Sequence, residues 1–124
     1  MLSVWMDIDR LIELAFDRTP TPAEVEDVAS SERISLQEVL DRLARRVAER
    51  YLEGVYSFGD ADMAMNNLFA WATAVTGMPE FAWKVFGAFD AGEFERPGAR
   101  EGEQGEQGEA LTRVLLSGCL QTES

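Results

Sequence analysis

The sequence predicts an all-α protein, a compact bundle of five to six helices. Apolar residues recur at three- and four-residue intervals along most of the chain, and several of these stretches begin with a helix-capping sequence. No stretch alternates apolar and polar residues as a half-buried strand does. With 124 residues, of which 46% are hydrophobic, the chain has the length and the apolar content of a single globular domain.

The first two predicted helices are separated by a proline-containing turn. The first is expected over residues 3–17, with Ser3 as its N-cap and one apolar face. Thr-Pro-Thr-Pro at residues 19–22 then interrupts the chain. Thr21 and Glu24 have the spacing of a capping box, with proline at the first helical position. A short second helix is therefore predicted to end at residues 30–32.

The third predicted helix begins at a second capping box, formed by Ser35 and Glu38, and runs to about Glu53. Gly54 follows as a left-handed cap. The arginines of this helix are expected to pair with acids at helical spacing or on a neighbouring helix. They are Arg42, Arg45, Arg46 and Arg50.

The fourth and fifth predicted helices hold most of the aromatic residues. The fourth is expected to begin at Asp60 or Ala61 and to end at Gly77. It is apolar on more than one side, which favours a central place in the bundle. The fifth is expected from Pro79 to Gly92. Because aromatic side chains bury the most apolar area, the core is expected within residues 51–94.

The composition changes after residue 94. Residues 95–109 are rich in glycine, glutamate and glutamine, and they are interpreted as an acidic flexible linker between a bundle of residues 1–94 and a C-terminal segment. That segment, residues 110–124, regains an apolar pattern in Leu111, Val114 and Leu115. It is expected to dock as a short helix.

The net charge and the missing histidine restrict the function. A formal charge of −12 repels phosphate backbones and anionic lipid, so binding to nucleic acid or to a membrane is not favoured. The same charge favours a basic protein as the partner. Without histidine, a catalytic triad or an ordinary zinc site is not expected. The sequence therefore predicts a non-enzymatic protein without a cofactor or metal. A homodimer is left open, because a wide apolar helix can also be buried against a second copy.

The expected location is the cytoplasm. No apolar run reaches the length that spans a bilayer, and no basic segment followed by an apolar run appears at the N-terminus. Cys119 is the single cysteine, and it has no partner for an internal disulfide.

The candidate partner-binding residues are acids at the turns of the central stretch, together with one tryptophan. They are Asp60, Asp62, Asp90, Glu93, Glu95 and Trp83. Asp90 is singled out because a negative charge in the last turn of a helix opposes the helix dipole. Trp83 lies off the apolar stripe of the fifth helix, so we expect it to face either a partner or the C-terminal segment.

The sequence is compatible with two other functions, DNA regulation and metal binding. Residues 21–43 follow a helix-turn-helix pattern in part, but Arg33 stands near the turn position where glycine is usual, and the acids of residues 18–50 outnumber the arginines. Two capped helices of a bundle explain the same pattern. Carboxylates also suit Mg²⁺ or Ca²⁺, yet Asp60 and Asp62 do not begin a calcium-binding loop.

Residues 56–62 (YSFGDAD) and 88–94 (AFDAGEF) resemble small, acidic, all-helical bacterial proteins of the immunity type. Such proteins neutralise a toxin in the cytoplasm of the cell that makes it. The resemblance covers only the central stretch, and it names no toxin and no binding residue. It implies an immunity or antitoxin-type inhibitor with a protein partner, and the net charge favours a basic protein as that partner.

Overall fold

The computed structural model describes residues 7–93 and 101–122, with the side chains of 93, 101–108 and 122 left out. The predicted all-α class is confirmed: the described residues form six helices and no strand. The helices are α1 (Ile8–Ala15), α2 (Pro22–Glu32), α3 (Leu36–Leu52), α4 (Phe58–Val75), α5 (Glu80–Glu93) and α6 (Glu101–Thr122). None of them combines the length and apolar character that crossing a bilayer requires.

The first helix begins later than the sequence predicted. Asp7 is its N-cap, with extended backbone, and its carboxylate accepts a hydrogen bond from the Arg10 N–H at 2.8 Å. Because an N-cap residue does not itself have helical backbone angles, a single helix beginning at Ser3 is excluded. Ser3 lies outside the described residues.

Helices α2 and α3 begin at the predicted caps. Thr21 and Glu24 form a reciprocal capping box, with distances of 3.2 and 2.9 Å. The Arg18 guanidinium donates to both Glu24 oxygens, at 2.8 and 2.6 Å. Together with the Thr21 backbone N–H, it lowers the pKa of the Glu24 carboxyl to about 2. Ser35 caps α3 by accepting from the Glu38 N–H at 3.1 Å, and Gly54 follows in the left-handed conformation.

Helices α4 and α5 differ from the prediction at their ends. Ser57 caps α4 by accepting from the Asp60 N–H at 3.1 Å, so α4 begins at Phe58. The α5 helix continues through Gly92 to Glu93, although glycine there was predicted to end it. At its other end, an Asp41 carboxylate oxygen from α3 accepts from the Ala82 N–H at 3.1 Å. The Asp41 side chain thus caps the N-terminus of α5, although a helix cap is usually a residue next to the helix in the sequence.

The central helix is α3 rather than α4, which corrects the prediction. Helix α3 packs against all five other helices, whereas α4 packs mainly against α1, α3 and α5. Tyr51, near the end of α3, is fully buried and lies edge-on to the rings of Phe58 and Phe89. Its hydroxyl donates to Glu109 Oε1 at 2.9 Å, and the Arg113 guanidinium lies 4.7 Å above its ring. Tyr51 therefore connects the third, fourth, fifth and sixth helices.

The last helix is longer than predicted and packs on a different face. Residues 101–109, expected in the linker, form its first turns; residues 95–100 lie outside the described residues. Glutamate and glutamine favour helix, whereas each glycine costs about 1 kcal/mol relative to alanine. Packing against α5 and α3 offsets this cost: Leu116 is fully buried, and the Thr112 hydroxyl donates to the Ala88 carbonyl at 2.8 Å.

The apolar residues that were expected to dock this helix are instead exposed. Leu111 is 44% exposed, Val114 69% and Leu115 39%. The pattern correctly indicated a helix, but it selected the wrong side of that helix. The C-terminal segment belongs to the same bundle as the first five helices, since α6 shares a buried face with α5.

Candidate protein-binding face

The start of α4 and the last turns of α5 lie together. The rings of Phe58 and Phe89 have centroids 5.8 Å apart, and both rings contact Tyr51. The two helices are neighbours joined by the short turn that contains Gly77, which is in the left-handed conformation. The start of α4 and the last turns of α5 therefore pack around the same buried aromatic residues.

The predicted acidic residues occupy different environments. Asp60 is exposed in the first turn of α4, where its charge is favourable to the helix dipole. Asp62 is half-buried one turn into the same helix. The side chain of Glu93 and the whole of Glu95 lie outside the described residues. In the described ranges, no group of three or more carboxylate or thiol side chains is arranged to hold a metal ion.

Asp90 is half-buried in the last turn of α5. Its side chain makes no hydrogen bond or ion pair with any residue that the structure describes. The predicted conflict with the helix dipole is therefore present, and no cation within these ranges relieves it.

Trp83 belongs to an aromatic cluster on the surface, where 52% of the residue is exposed. The rings of Phe69 and Phe86 are stacked, with centroids 4.2 Å apart and an angle of 12° between their planes. The Trp83 ring lies 5.4 Å from Phe69 and 5.8 Å from Phe86. Both phenylalanines are half-buried, and the indole packs against them at the surface.

Trp83 and Asp90 lie on one side of α5. Trp83, Phe86, Gly87 and Asp90 have the spacing i, i+3, i+4 and i+7, which places them along a single stripe of an α-helix. Phe69 of α4 flanks this stripe. We call these five residues the α4–α5 face.

Sequence reasoning identified Trp83 and Asp90 but not their neighbours on this face. Phe69 and Phe86 fall within the apolar patterns of α4 and α5, which predict core residues rather than an exposed face. Nothing in the sequence pattern indicated that Gly87 belongs to a binding face. The spacing of three residues from Trp83 to Phe86 was visible in the sequence, but the contribution of Phe69 depends on how α4 and α5 pack.

A second region with clustered charges lies along α3. Two open clefts of about 310 and 330 Å³ share Arg42 and Arg45. The cleft of about 310 Å³ is lined by Asp7, Ile8, Asp9, Glu32, Arg42, Arg45, Arg46 and Glu49. The cleft of about 330 Å³ is lined by Glu38, Asp41, Arg42, Arg45 and Phe81.

The arginines of these clefts are engaged within the protein. Arg46 pairs with Asp9 of α1 at 2.7 Å, and Arg42 pairs with Glu32 of α2 at 3.0 Å. The Arg45 guanidinium lies 4.8 Å above the Phe81 ring, a contact that the sequence did not suggest. The expected pairing with neighbouring helices is thus confirmed for Arg42 and Arg46. With acids interspersed, the clefts present mixed charge rather than a basic surface.

The two tyrosines are held in their neutral forms. Burial, followed by the hydrogen bond to Glu109, raises the pKa of Tyr51 to about 12. Burial also raises the pKa of Tyr56, and the nearby negative charge of Asp9 adds to the effect. Phenols with raised pKa values are poor general bases near neutral pH.

Comparison of the chain with models of known protein families, with curated proteins and with solved structures finds no significant match.

Proposed function

We propose that this chain is a non-enzymatic, acidic protein that binds a basic protein partner through the α4–α5 face. The observation that carries the proposal is the half-exposed Trp83, which packs on two stacked phenylalanines and lies on the same side of α5 as Asp90, an acid with no ion-pair partner among the described residues. Tryptophan is enriched among the residues that dominate binding energy at protein interfaces.

The exposure of Trp83 has an energetic cost for the isolated protein. An aromatic side chain buries roughly 150–250 Å² when fully covered. Leaving 52% of Trp83 exposed forgoes roughly 2–3 kcal/mol of apolar burial, at about 25 cal/mol per Å². A partner that covers the indole regains this burial. Because the indole already packs against Phe69 and Phe86, less side-chain entropy is lost when a partner covers it than for a side chain without such contacts.

The net charge favours a basic partner. With a formal charge of −12, the chain attracts positively charged proteins over a distance of about one Debye length, roughly 8 Å at physiological salt. Such attraction raises the association rate more than it raises the final affinity. We therefore expect the binding to weaken as the salt concentration rises.

The narrower proposal is an immunity or antitoxin-type inhibitor in the bacterial cytoplasm. It is supported by the resemblance of residues 56–62 and 88–94 to immunity-type proteins. These two segments adjoin each other, since Phe58 and Phe89 are in contact. An inhibitor of this type needs a surface for its toxin and no catalytic group of its own.

Two alternatives receive less support. A helix-turn-helix DNA-associated regulator would use the N-terminal part of α3, where Arg42 pairs with Glu32 and also lies 3.8 Å from Glu38. Cations held by acids are less available to phosphates. A carboxylate metal-binding protein would need clustered oxygen ligands, and the described ranges hold no such cluster.

The test is capture of a partner from a lysate of the protein's own cell. Immobilised wild-type chain is expected to retain a protein that elutes as the salt concentration rises, and Trp83→Ala is expected to reduce its retention at least tenfold. Val114→Ala is the matched control, because Val114 is a similarly exposed apolar residue on a different helix. Asp90→Asn combined with Glu93→Gln is expected to weaken capture and its salt dependence.

Two results would count against the proposal. If no salt-sensitive protein is retained, the chain does not act through a basic protein partner. If Trp83→Ala and Val114→Ala retain the same protein equally well, the binding surface lies elsewhere.

A further inference from the structure

We infer that the α4–α5 face receives an amphipathic, basic helix of the partner, with one apolar side chain seated over Gly87 and one basic side chain paired with Asp90. This inference rests on the proposed function, because it specifies the chemistry of the proposed partner at the same face.

The shape of the face matches a helix-packing site. Where one helix packs on another by knobs into holes, each hole is made by four residues of the receiving helix. On α5, the four residues Trp83, Phe86, Gly87 and Asp90 occupy the positions i, i+3, i+4 and i+7 that form such a hole. The wall on the α4 side is extended by Phe69, which stacks on Phe86.

Gly87 leaves this hole open. A Cβ atom added at Gly87 would meet no atom within 4 Å, and the residue is exposed. A side chain from outside can therefore reach the backbone of α5 beside Trp83 and Phe86. Two of the four residues around the hole are aromatic, so a leucine-sized apolar side chain suits it.

Asp90 defines the charge of the occupant. It has no ion-pair partner in the part of the chain that the structure describes, and it lies where the dipole of α5 disfavours a negative charge. On a docking helix, a residue three or four positions from the apolar knob lies one turn away on the same side. A lysine or arginine at that position can pair with Asp90, and arginine can also stack on an aromatic ring.

A second copy of this chain fits the face less well than a basic helix. Two copies would each bring a formal charge of −12, and a symmetric contact would place like charges against each other. The occupant is therefore expected to be a different, positively charged chain.

The probe is a designed amphipathic peptide of about 18 residues, made of leucine, alanine and arginine, with its leucines and arginines at helical spacing on one side. A scrambled peptide of the same composition is the charge control, since any cationic peptide is attracted to a protein this acidic. Binding is followed on the full chain by the NMR shifts of the Trp83 indole N–H and of the Gly87 and Asp90 amides.

Gly87→Leu fills the hole, and Gly118→Leu is its matched control. Gly118 is also exposed within a helix, and a Cβ added there also meets no atom within 4 Å. We expect the amphipathic peptide to shift the three resonances, Gly87→Leu to weaken its binding at least tenfold, and Gly118→Leu to leave it unchanged. The thermal unfolding midpoint of each variant checks that both still fold.

With the purified chain, three results would overturn the inference. They are equal affinity of the peptide for the two glycine variants, equal affinity of the scrambled and amphipathic peptides for the wild-type chain, and a dimer of the wild-type chain that Gly87→Leu dissociates. Capture from lysate with the same variants separates the inference from the proposed function. A partner retained equally by both variants leaves the proposed function standing and refutes the helix site. If the wild-type chain retains no partner from the lysate, the proposed function fails. Binding of the designed peptide then decides by itself whether the α4–α5 face accepts a basic helix.

Discussion

Replacement of Leu116 by alanine tests whether α6 belongs to the same folding unit as the rest of the bundle. Leu116 is fully buried, and it lies one turn after Thr112, whose hydroxyl donates to the Ala88 carbonyl of α5. Among the residues of α6 whose burial is described, these are the two that are completely buried. If α6 is integral to the fold, removing most of the Leu116 side chain should destabilise the entire bundle.

The expected loss follows from the burial of this residue. A fully buried leucine replaced by alanine costs about 2–5 kcal/mol, because apolar burial is lost and a cavity remains. For a domain near this size, roughly 4 °C in Tm corresponds to 1 kcal/mol. Leu116→Ala should therefore lower the free energy of unfolding by about 2–5 kcal/mol, a large part of a typical total of about 5–15 kcal/mol, and lower Tm by about 8–20 °C.

The measurement is urea denaturation followed by circular dichroism and by tryptophan fluorescence, to which Trp71 of α4 contributes from the core. Both signals are expected to shift together in Leu116→Ala. Val114→Ala is the control on the same helix; at 69% exposure, its replacement should change the free energy of unfolding by less than about 0.5 kcal/mol.

The reasoning would be refuted if Leu116→Ala and Val114→Ala had the same stability. It would also be refuted if only part of the helical signal were lost at low denaturant while the fluorescence transition stayed in place. In that case α6 would unfold independently of the other five helices.

Two further predictions concern pH. Because the pKa of Glu24 in the folded chain is about 2, below its ordinary value of 4.5, its ionised form stabilises the fold above pH 4.5, and this stabilisation is lost as the pH falls toward 2. Glu24→Gln should therefore lower the free energy of unfolding at pH 7 by about 1–2 kcal/mol, as measured by urea titration. The difference in this free energy between the wild-type chain and Glu24→Gln should shrink below pH 4.5, and a difference that stays constant there would contradict this account. The raised pKa values of Tyr51 and Tyr56 predict little phenolate absorbance near pH 10 in the folded chain, and ionisation of both near pH 10 in denaturant. Since the folded state holds the Tyr51 proton more tightly than the unfolded state, the stability that Tyr51 contributes is complete below pH 10 and is lost as the pH rises through 12. Ionisation of either phenol at pH 10 in the folded chain would be inconsistent with the burial of the two tyrosines.

The candidate site was only partly predictable. Trp83 stood out because it lies off the apolar stripe of its helix, and Asp90 because it opposes the helix dipole; both judgements need only residues of α5. The support from Phe69 arises across the packing of α4 on α5, and it was not visible in the sequence. Gly87 became informative only when the space above it was known.

The sequence by itself determined the all-α class and most helix ends, because caps depend on residues within about four positions of each other. The Thr21–Glu24 box, the Ser35 cap and the left-handed Gly54 are of this kind. Tertiary structure decided which helix is central, which side of α6 is buried and how α5 begins, since Asp41 of α3 supplies that cap. These features depend on contacts between residues far apart in the chain. Helix α6 has two sides that could pack on the bundle: one carries Leu111, Val114 and Leu115, and the other carries Thr112 and Leu116. Apolar periodicity favoured burial of the first side. The second side is the one that is buried, where the Thr112 hydroxyl donates to the Ala88 carbonyl of α5.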